Sequence, residues 1–467
     1  MHNVVPRLVK AVCPESSGSG ELYGASLFVD IKGFSQLTEQ LMTEGRKGAE
    51  KVSGVINSVY RPSLKRVYDL DGSVVSFIGD SFIAVFPPGS YSRLPALCDY
   101  LHDRIPPRLE KAAFTSAGVR TGVAEGPMKW GVVSASGVSS WYLRGDAVES
   151  ACCAAYEGRA PAGAEISGKD IPPVPRDLSG IRLGSRFSRR FVPENIVSMD
   201  FRGEFRTAAP LFISFASTVS DDDLKLISGT ALKLAVRYGG YFGGIFFDEK
   251  GGSILVTFGV PRSRERAMER ALLFAKSAMH SLSEYISIGI SYGRVYAGFV
   301  GSRKRNSYTV LGDEVNTAAR LCFTGSTGDI LATDKLADRL SQMGFSFEYS
   351  GSLKLRGRRR PVGTILVNAL KTSSVKSSGQ LFGRDEELAV LEEMTLDSFE
   401  RTEGTPVLVK GPPGIGKTRL MAKLAESFEE ECRVVKTEAF EMDFSSIAPL
   451  GRQIGRASCR ERLCHRV

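Results

Sequence analysis

The sequence predicts an α/β chain of three modules: two related layered domains, then part of a third domain built on a glycine-rich loop. Three observations predict it. Apolar strand-like runs alternate with stretches of helical period, which is the pattern of a layered domain. The pattern then recurs: Gly126 matches Gly293 and Gly145-Asp146 matches Gly312-Asp313, all at a spacing of 167 residues. A repeat this long means two homologous domains rather than a solenoid. Near the end, Gly411-Pro412-Pro413-Gly414-Ile415-Gly416-Lys417-Thr418 follows one apolar run and opens a helical one. A chain of 467 residues has room for about three domains.

Taken in order, residues 1–24 read as a leader, with Ser16 to Gly20 a flexible piece. A first domain spans 25–170. Its opening strand ends at Val29, Glu39 to Leu64 is helical in period, and Val67 to Phe86 holds a hairpin around Gly79-Asp80. Pro87-Pro88-Gly89 breaks that run, Leu94 to Ala112 is helical again, and Val119 to Val133 supplies two strand-like runs. Tyr142 to Val148 leads into a helix of small residues. A proline-containing linker with some strand covers 171–205. The second domain spans 206–370: Pro210 to Ser214 matches the opening strand, Gly239 to Phe258 the hairpin, and Tyr308 to Arg320 the stretch Trp141 to Cys153. A serine-rich linker, 371–380, precedes a third module at 381–453.

Composition narrows the classes. Hydrophobic residues make 42% and charged residues 24% of the chain, ordinary for a globular protein. No apolar run approaches the roughly 20 residues of a membrane span, and no secretory signal opens the chain. The 8 cysteines show no Cys-x-x-Cys spacing, which points to a reducing, cytoplasmic setting and against a disulfide frame or zinc site. The net charge of +9 is dispersed, without basic runs interleaved with aromatics, so no nucleic-acid partner is expected.

The chemistry gathers at two acids. Asp30 stands at a strand end before Gly33, and Asp80 stands in the Gly79-Asp80 turn. Paired acids of this kind suit two hard cations with phosphate beside them. The plainer alternative is that Asp30 caps a helix and Asp80 makes a turn. In the repeat, Tyr308-Thr309-Val310-Leu311-Gly312-Asp313-Glu314-Val315-Asn316-Thr317-Ala318-Ala319-Arg320 puts Asn316 and Arg320 on one helix face, four residues apart. A guanidinium there offers fixed, bidentate donors to phosphate oxygens.

These segments resemble class III nucleotidyl cyclases, and the match covers about residues 25–370. The resemblance implies two ferredoxin-like cyclase domains forming an intramolecular pseudo-dimer. It implies that Asp30, Asp80 and the Ile31 carbonyl hold two Mg²⁺ or Mn²⁺ ions, that Thr309 reads the base edge, and that Asn316 orients the ribose. Arg320 would stabilise charge on the phosphates, with Arg120 where a triphosphate-contacting lysine is usual. The halves are unequal: the first has both acids but Glu149 and Cys153 at the Asn and Arg positions. The second has Asn316 and Arg320 but Ser214 in place of Asp30, with Asp248 or Glu249 in its hairpin. One complete site, with a degenerate mirror image, is therefore expected. This resembles the soluble, bicarbonate-responsive adenylyl cyclases. Besides Arg120, three positions depart from them. The adenine-selecting lysine falls at Gly243 or Gly244, and the bicarbonate-binding Lys and Arg fall at Ser76 and Cys152.

The loop at Gly411, Gly414, Gly416, Lys417 and Thr418 is a Walker A pattern behind an expected strand, Pro406 to Lys410. Backbone N–H groups and Lys417 would hold ATP phosphates, and Thr418 would ligate Mg²⁺. With Gly383-Arg384-Asp385 ahead of it, the module resembles STAND and AAA-type P-loop ATPases. It looks truncated, and residues 454–467 resemble a translated sequencing adapter, so a non-native tail on a longer natural chain is expected. The expected activity is conversion of ATP to 3′,5′-cyclic AMP and pyrophosphate in intracellular signalling. The alternatives are a guanylyl cyclase, or a nucleotide-binding pseudo-cyclase that regulates a signalling ATPase.

Overall fold

The computed structural model describes residues 3–428, except 16–17, 33, 111–117, 158–170, 177, 179, 194–195, 197–202, 264–265, 344, 354–360, 373–382, 402–405 and 413–414. Gly33, Gly414, most of the serine-rich linker, the stretch 429–453 and the expected tail at 454–467 lie outside the described residues. The chain forms two compact units, Met1–Thr372 and Ser373–Val467.

In the first unit, helix α1 (Arg7–Val12) leads into strand β1 (Gly18–Lys32), then helices α2 (Phe34–Met42) and α3 (Gly45–Asp69). The hairpin β2 (Ser73–Ile78) and β3 (Ser81–Phe86) follows, then α4 (Leu94–Glu110), β4 (Gly118–Ala135), β5 (Val138–Arg144) and α5 (Asp146–Glu157). The sheet order is β2-β3-β1-β4-β5. Residues 24–31 of central β1 are all buried, as expected of a strand covered on both faces.

Three local expectations change. The described residues of the first 24 are packed rather than loose: Val4, Val5, Leu8, Val9 and Leu22 are buried, and residues 18–24 belong to β1. The single helix expected over Glu39 to Leu64 is two helices, because Gly45 turns the chain at φ +58°. Gly48 then lets the pieces meet, since a Cβ there would lie 1.8 Å from the Leu41 carbonyl oxygen. The two runs between Val119 and Val133 are one continuous strand, β4.

The joining stretch holds helix α6 (Ser185–Phe191) and a single bridge from Pro173 to Tyr23. The second half then runs β6 (Glu204–Phe215), α7 (Asp221–Tyr238), β7 (Tyr241–Asp248), β8 (Gly251–Phe258), α8 (Ala267–Leu282), β9 (Ser287–Ile290), β10 (Gly293–Gly301), β11 (Asn306–Leu311) and α9 (Asp313–Thr324). Strand β6 pairs with β8 on one side and with β9 and β10 on the other; β7 lies outside β8, and β11 outside β10. This is the order of the first sheet over again. Strand β12 (Ile330–Thr333), helix α10 (Ala337–Gln342) and strands β13 (Phe345–Leu353) and β14 (Val362–Thr372) extend the second sheet beyond β9.

The halves are tied by polar contacts as well as packing. Arg144 donates to the Val219 carbonyl at 2.9 Å and ion-pairs with Asp221, which also takes Lys129 at 3.6 Å. Asn57 on α3 accepts from the Gly301 N–H at 3.0 Å. Arg305, only 2% exposed, donates to the carbonyls of Val74 (3.2 Å), Val75 (3.1 Å), Val4 (2.8 Å) and Asn306.

The second unit shows helices α11 (Asp385–Arg401) and α12 (Lys417–Ser427), closed by Leu391, Leu420, Leu424 and Phe428. The strand expected at 406–410 does not form: those residues join no ladder, and Leu408 is 67% exposed. A strand needs a neighbour for its N–H and C=O groups, and none is present among the described residues.

Candidate active site

Sheet register brings the two expected acids together. Asp30 stands opposite Ser81 on β3 and Arg120 on β4. Its Oδ1 accepts from the Ser81 hydroxyl at 2.8 Å, and its Oδ2 lies 3.6 Å from the Arg120 guanidinium. The next residue, Ile31, donates its N–H to the Asp80 carbonyl at 3.3 Å. One backbone bond thus stitches the Gly79-Asp80 turn onto the strand end. Gly79 adopts φ +64°, which the two-residue turn requires. The Ile31 side chain is 1% exposed, so core packing fixes the backbone between the acids.

The pair is electrostatically uneasy. Burial, then the charge of Asp30, pushes the Asp80 carboxyl up to about 8. Burial also raises Asp30, opposed by the Ser81 hydrogen bond, Arg120 and Lys32. A divalent cation would relieve both groups. Among the described residues no three His, Cys, Asp or Glu side chains form a closed cage. Two carboxylates and a carbonyl instead suit a hard cation that completes its shell with water and phosphate oxygens.

In the second half the same register carries no acid. Ser214 stands opposite Ser253 on β8 and Ser287 on β9, as Asp30 stands opposite Ser81 and Arg120. Counting back from Ser253 as from Ser81, the place of Asp80 falls at Gly252. Neither Asp248 nor Glu249, the two expected candidates, occupies it: they sit further out, at the tip of a longer hairpin. Their neighbours are Glu149 and Cys152 of α5.

Thr309 is 8% exposed on β11 and stands opposite Gly298. Helix α9 follows and carries Asn316 and Arg320, both half-buried, on one face. Its start lies against the end of α2, the helix that leaves the acid pair: a Cβ on Gly312 would come within 3.2 Å of Met42 Cε, and Arg294 donates to the Met42 carbonyl at 3.4 Å. Among the described residues no ion pair joins Arg320 to Asp30 or Asp80. In α5, Glu149 accepts from the Gly145 N–H at 3.3 Å and caps its own helix.

The expected base-reading and anion positions are mirror images. Strand β2 bulges between Val74 and Ser76, and β7 bulges between Phe242 and Gly244, so Ser76 and Gly244 are equivalent. Both line a cavity of about 100 Å³ between the halves, beside Tyr241, Arg305 and Tyr308. Gly244 has φ +142°, and a Cβ there would lie 2.7 Å from the Phe246 ring, so no lysine fits this backbone. Cys152 is fully buried, and burial drives its thiol far up. Ser81 was legible only as the residue after Gly79-Asp80; its hydrogen bond to Asp30 needed the register.

In the second unit, Lys417 folds back on its own loop, donating to the carbonyls of Gly411 (2.7 Å) and Pro412 (2.8 Å). Gly416 adopts φ +95° and its carbonyl takes the N–H groups of Arg419 and Leu420, so the loop runs into α12 as expected. Thr418 lies in the first turn of that helix.

Residues 252–369 match the adenylate and guanylate cyclase catalytic domain, and residues 380–467 match an AAA ATPase domain. An uncharacterized protein of Mycobacterium tuberculosis is 29% identical over 206 residues, 40% of this chain and 37% of its own length. Rabbit adenylate cyclase type 10 is 27% identical over 269 residues, 50% of this chain and 16% of that protein. The chain therefore spans well under half the length of these relatives. A solved class III adenylyl cyclase-like ATP-binding protein from Pseudomonas aeruginosa covers 69% of this chain and 86% of its own, with a TM-score of 0.51 and 13% identity, a likeness of fold. No helix among the described residues is long and apolar enough to cross a membrane.

Proposed function

From a chain that carries a class III adenylyl/guanylyl cyclase catalytic domain and an AAA ATPase domain, we propose an adenylyl cyclase with one active site shared by two tandem cyclase domains. The observation that carries this is the register asymmetry: Asp30 and Asp80 in the first sheet, Ser214 and Gly252 at their places in the second. Only the second half offers Asn316 and Arg320. One complete site then takes its acids from one half and its Asn and Arg from the other.

The reaction is intramolecular. The ribose 3′-oxygen attacks the α-phosphorus, the bond from that phosphorus to the β-phosphate oxygen breaks, and the 3′-hydroxyl proton passes to solvent. The products are 3′,5′-cyclic AMP and pyrophosphate. Mg²⁺ or Mn²⁺, when bound, lowers the pKa of the 3′-hydroxyl and neutralises the triphosphate. Asp30, Asp80 and the Ile31 carbonyl hold it, and Ser81 fixes Asp30. Asn316 orients the ribose, and Arg320 and Arg120 meet developing phosphate charge. Thr309 favours adenine over guanine. The proposal carries no bicarbonate activation, since Ser76 and Cys152 supply no positive charge.

A nucleotide-binding pseudo-cyclase is the second reading, favoured by the absence of a base-reading lysine at Gly244. Turnover of ATP and GTP by the full chain, with Mn²⁺ and with Mg²⁺, separates the readings. Cyclic AMP formation should dominate and fall about 1000-fold in Asp30→Ala or Asp80→Ala, with circular dichroism unchanged. Near-normal rates in either folded variant remove the acid pair from the mechanism.

A further inference from the structure

Helix α5 sets an aromatic ring beside Arg120. Phe28 stands opposite Gly122 and Asp30 opposite Arg120, so these four share one face of β1 and β4. Helix α5 lies on that face: a Cβ on Gly122 would come 2.1 Å from the Ala151 carbonyl oxygen and 2.5 Å from the Ala155 nitrogen. The next residue, Tyr156, is 46% exposed, and its ring centroid lies 5.9 Å from that of Phe28. The Arg120 guanidinium sits over this ring, 5.1 Å from its centroid, within cation–π range.

Arg120 therefore has two neighbours. Its Nη1 stands 3.6 Å from Asp30 Oδ2, an ion pair too long for a hydrogen bond, while the guanidinium carbon rests over Tyr156. The contact with Asp30 cannot outlast a divalent cation on that carboxylate, which would take the same oxygen and repel the guanidinium. The contact with Tyr156 does not involve Asp30 and survives the exchange.

The second half repeats the seat with a different cation. Gly289 lies under α9 as Gly122 lies under α5: a Cβ there would come 2.2 Å from the Ala318 carbonyl oxygen and 2.3 Å from the Cys322 nitrogen. Phe323 follows, and Lys250 Nζ lies 5.5 Å from its ring centroid. The seat thus needs a ring face and no hydroxyl. Ser214 stands opposite Ser287 where Asp30 stands opposite Arg120, so only the first half seats a cation beside an acid at that register.

We propose that Tyr156 is a positioning residue: its ring keeps the Arg120 guanidinium at the site when a divalent cation takes Asp30, and so holds it ready for the triphosphate. The inference rests on the reading of Arg120 as a triphosphate contact. A long side chain already seated on a ring loses less rotamer freedom when it meets phosphate.

The test is binding of 3′-deoxy-ATP, which lacks the attacking hydroxyl, to the full chain with Mn²⁺ by titration calorimetry, beside kcat/KM for ATP. Every chain carries Lys417→Ala, which removes phosphate binding at the Gly411 loop. Tyr156→Leu should weaken binding about 3- to 5-fold, the worth of a half-exposed cation–π contact, and lower kcat/KM at least as much. Tyr156→Phe should match the unmodified ring, because the face and not the hydroxyl holds the cation. Arg120→Met should weaken binding at least about 10-fold, and adding Tyr156→Leu to it should cost nothing more, because the ring acts through Arg120. Unchanged binding in Tyr156→Leu, an equal loss in Tyr156→Phe, or an additive loss in the double variant overturns the inference and leaves Arg120 standing. Unchanged binding in Arg120→Met overturns the triphosphate reading of Arg120 and this inference with it.

Discussion

Asp248 shows how the second hairpin differs in chemistry from the first. Burial, with Glu249 and Glu149 adding repulsion, holds its carboxyl up at about 6, against the Lys250 N–H bond and the Lys250 charge; Cys152 also faces it from α5. The folded chain therefore keeps this proton to about pH 6, whereas an unfolded aspartate releases it near 3.8. Its contribution to stability is complete below the lower value and is lost as pH rises through the higher one. Asp248→Asn should flatten the fall in unfolding temperature between pH 4 and pH 7. Parallel curves for the variant and the parent would refute this. Single residues were unevenly legible in the sequence. Asp30, Asp80, Asn316 and Arg320 sit in contiguous motifs, so the sequence could single them out as candidates with the help of the family resemblance. Gly252 could not be found that way, because β7 and β8 reach past the length of β2 and β3 and only pairing fixes the count.

Among the elements, the bulged strand β2 depends on a residue from the other half. The carbonyls of Val74 and Val75 at its bulge are taken by Arg305, and Val75 also accepts from Trp141 Nε1 at 3.3 Å. The guanidinium stacks over Phe77 and Trp141, and burial lowers its pKa to about 10, so it stays charged at neutral pH. Its removal leaves buried carbonyls unpaired. Arg305→Met should cost at least about 3 kcal/mol, read from the urea midpoint. A loss below about 1 kcal/mol would show that water replaces the guanidinium without penalty. Alternating period and glycine turns announced β1, the β2–β3 hairpin, α4, α5 and α9. The break between α2 and α3 hid in Gly45, a single residue within a sound helical pattern. The strand before the Gly411 loop was misjudged because an apolar run says nothing about whether a neighbour is present to pair with it.

For the whole of the first unit, the proposed shared site makes the halves useless apart. Residues 1–200 and 203–372, produced separately, should each be inactive, and mixing them should restore cyclic AMP formation. Robust turnover by 203–372 alone would refute the arrangement, since that piece has Ser214 and Gly252 where acids are needed. The repeat made the twofold plan legible from the sequence. The N-terminal segment was not, because its partners lie three hundred residues downstream. Asn3 bonds the Arg303 carbonyl and accepts from the Asn306 N–H, and Val4, Val5 and Val9 pack with Phe299, Tyr308 and Val310. On the ribosome, where chains grow by about 5–20 residues per second, these first valines wait roughly 15 to 60 seconds for the strands that cover them. Through that interval they are exposed apolar chain, suited to a chaperone. Segments whose partners are made three hundred residues later are among the last to settle.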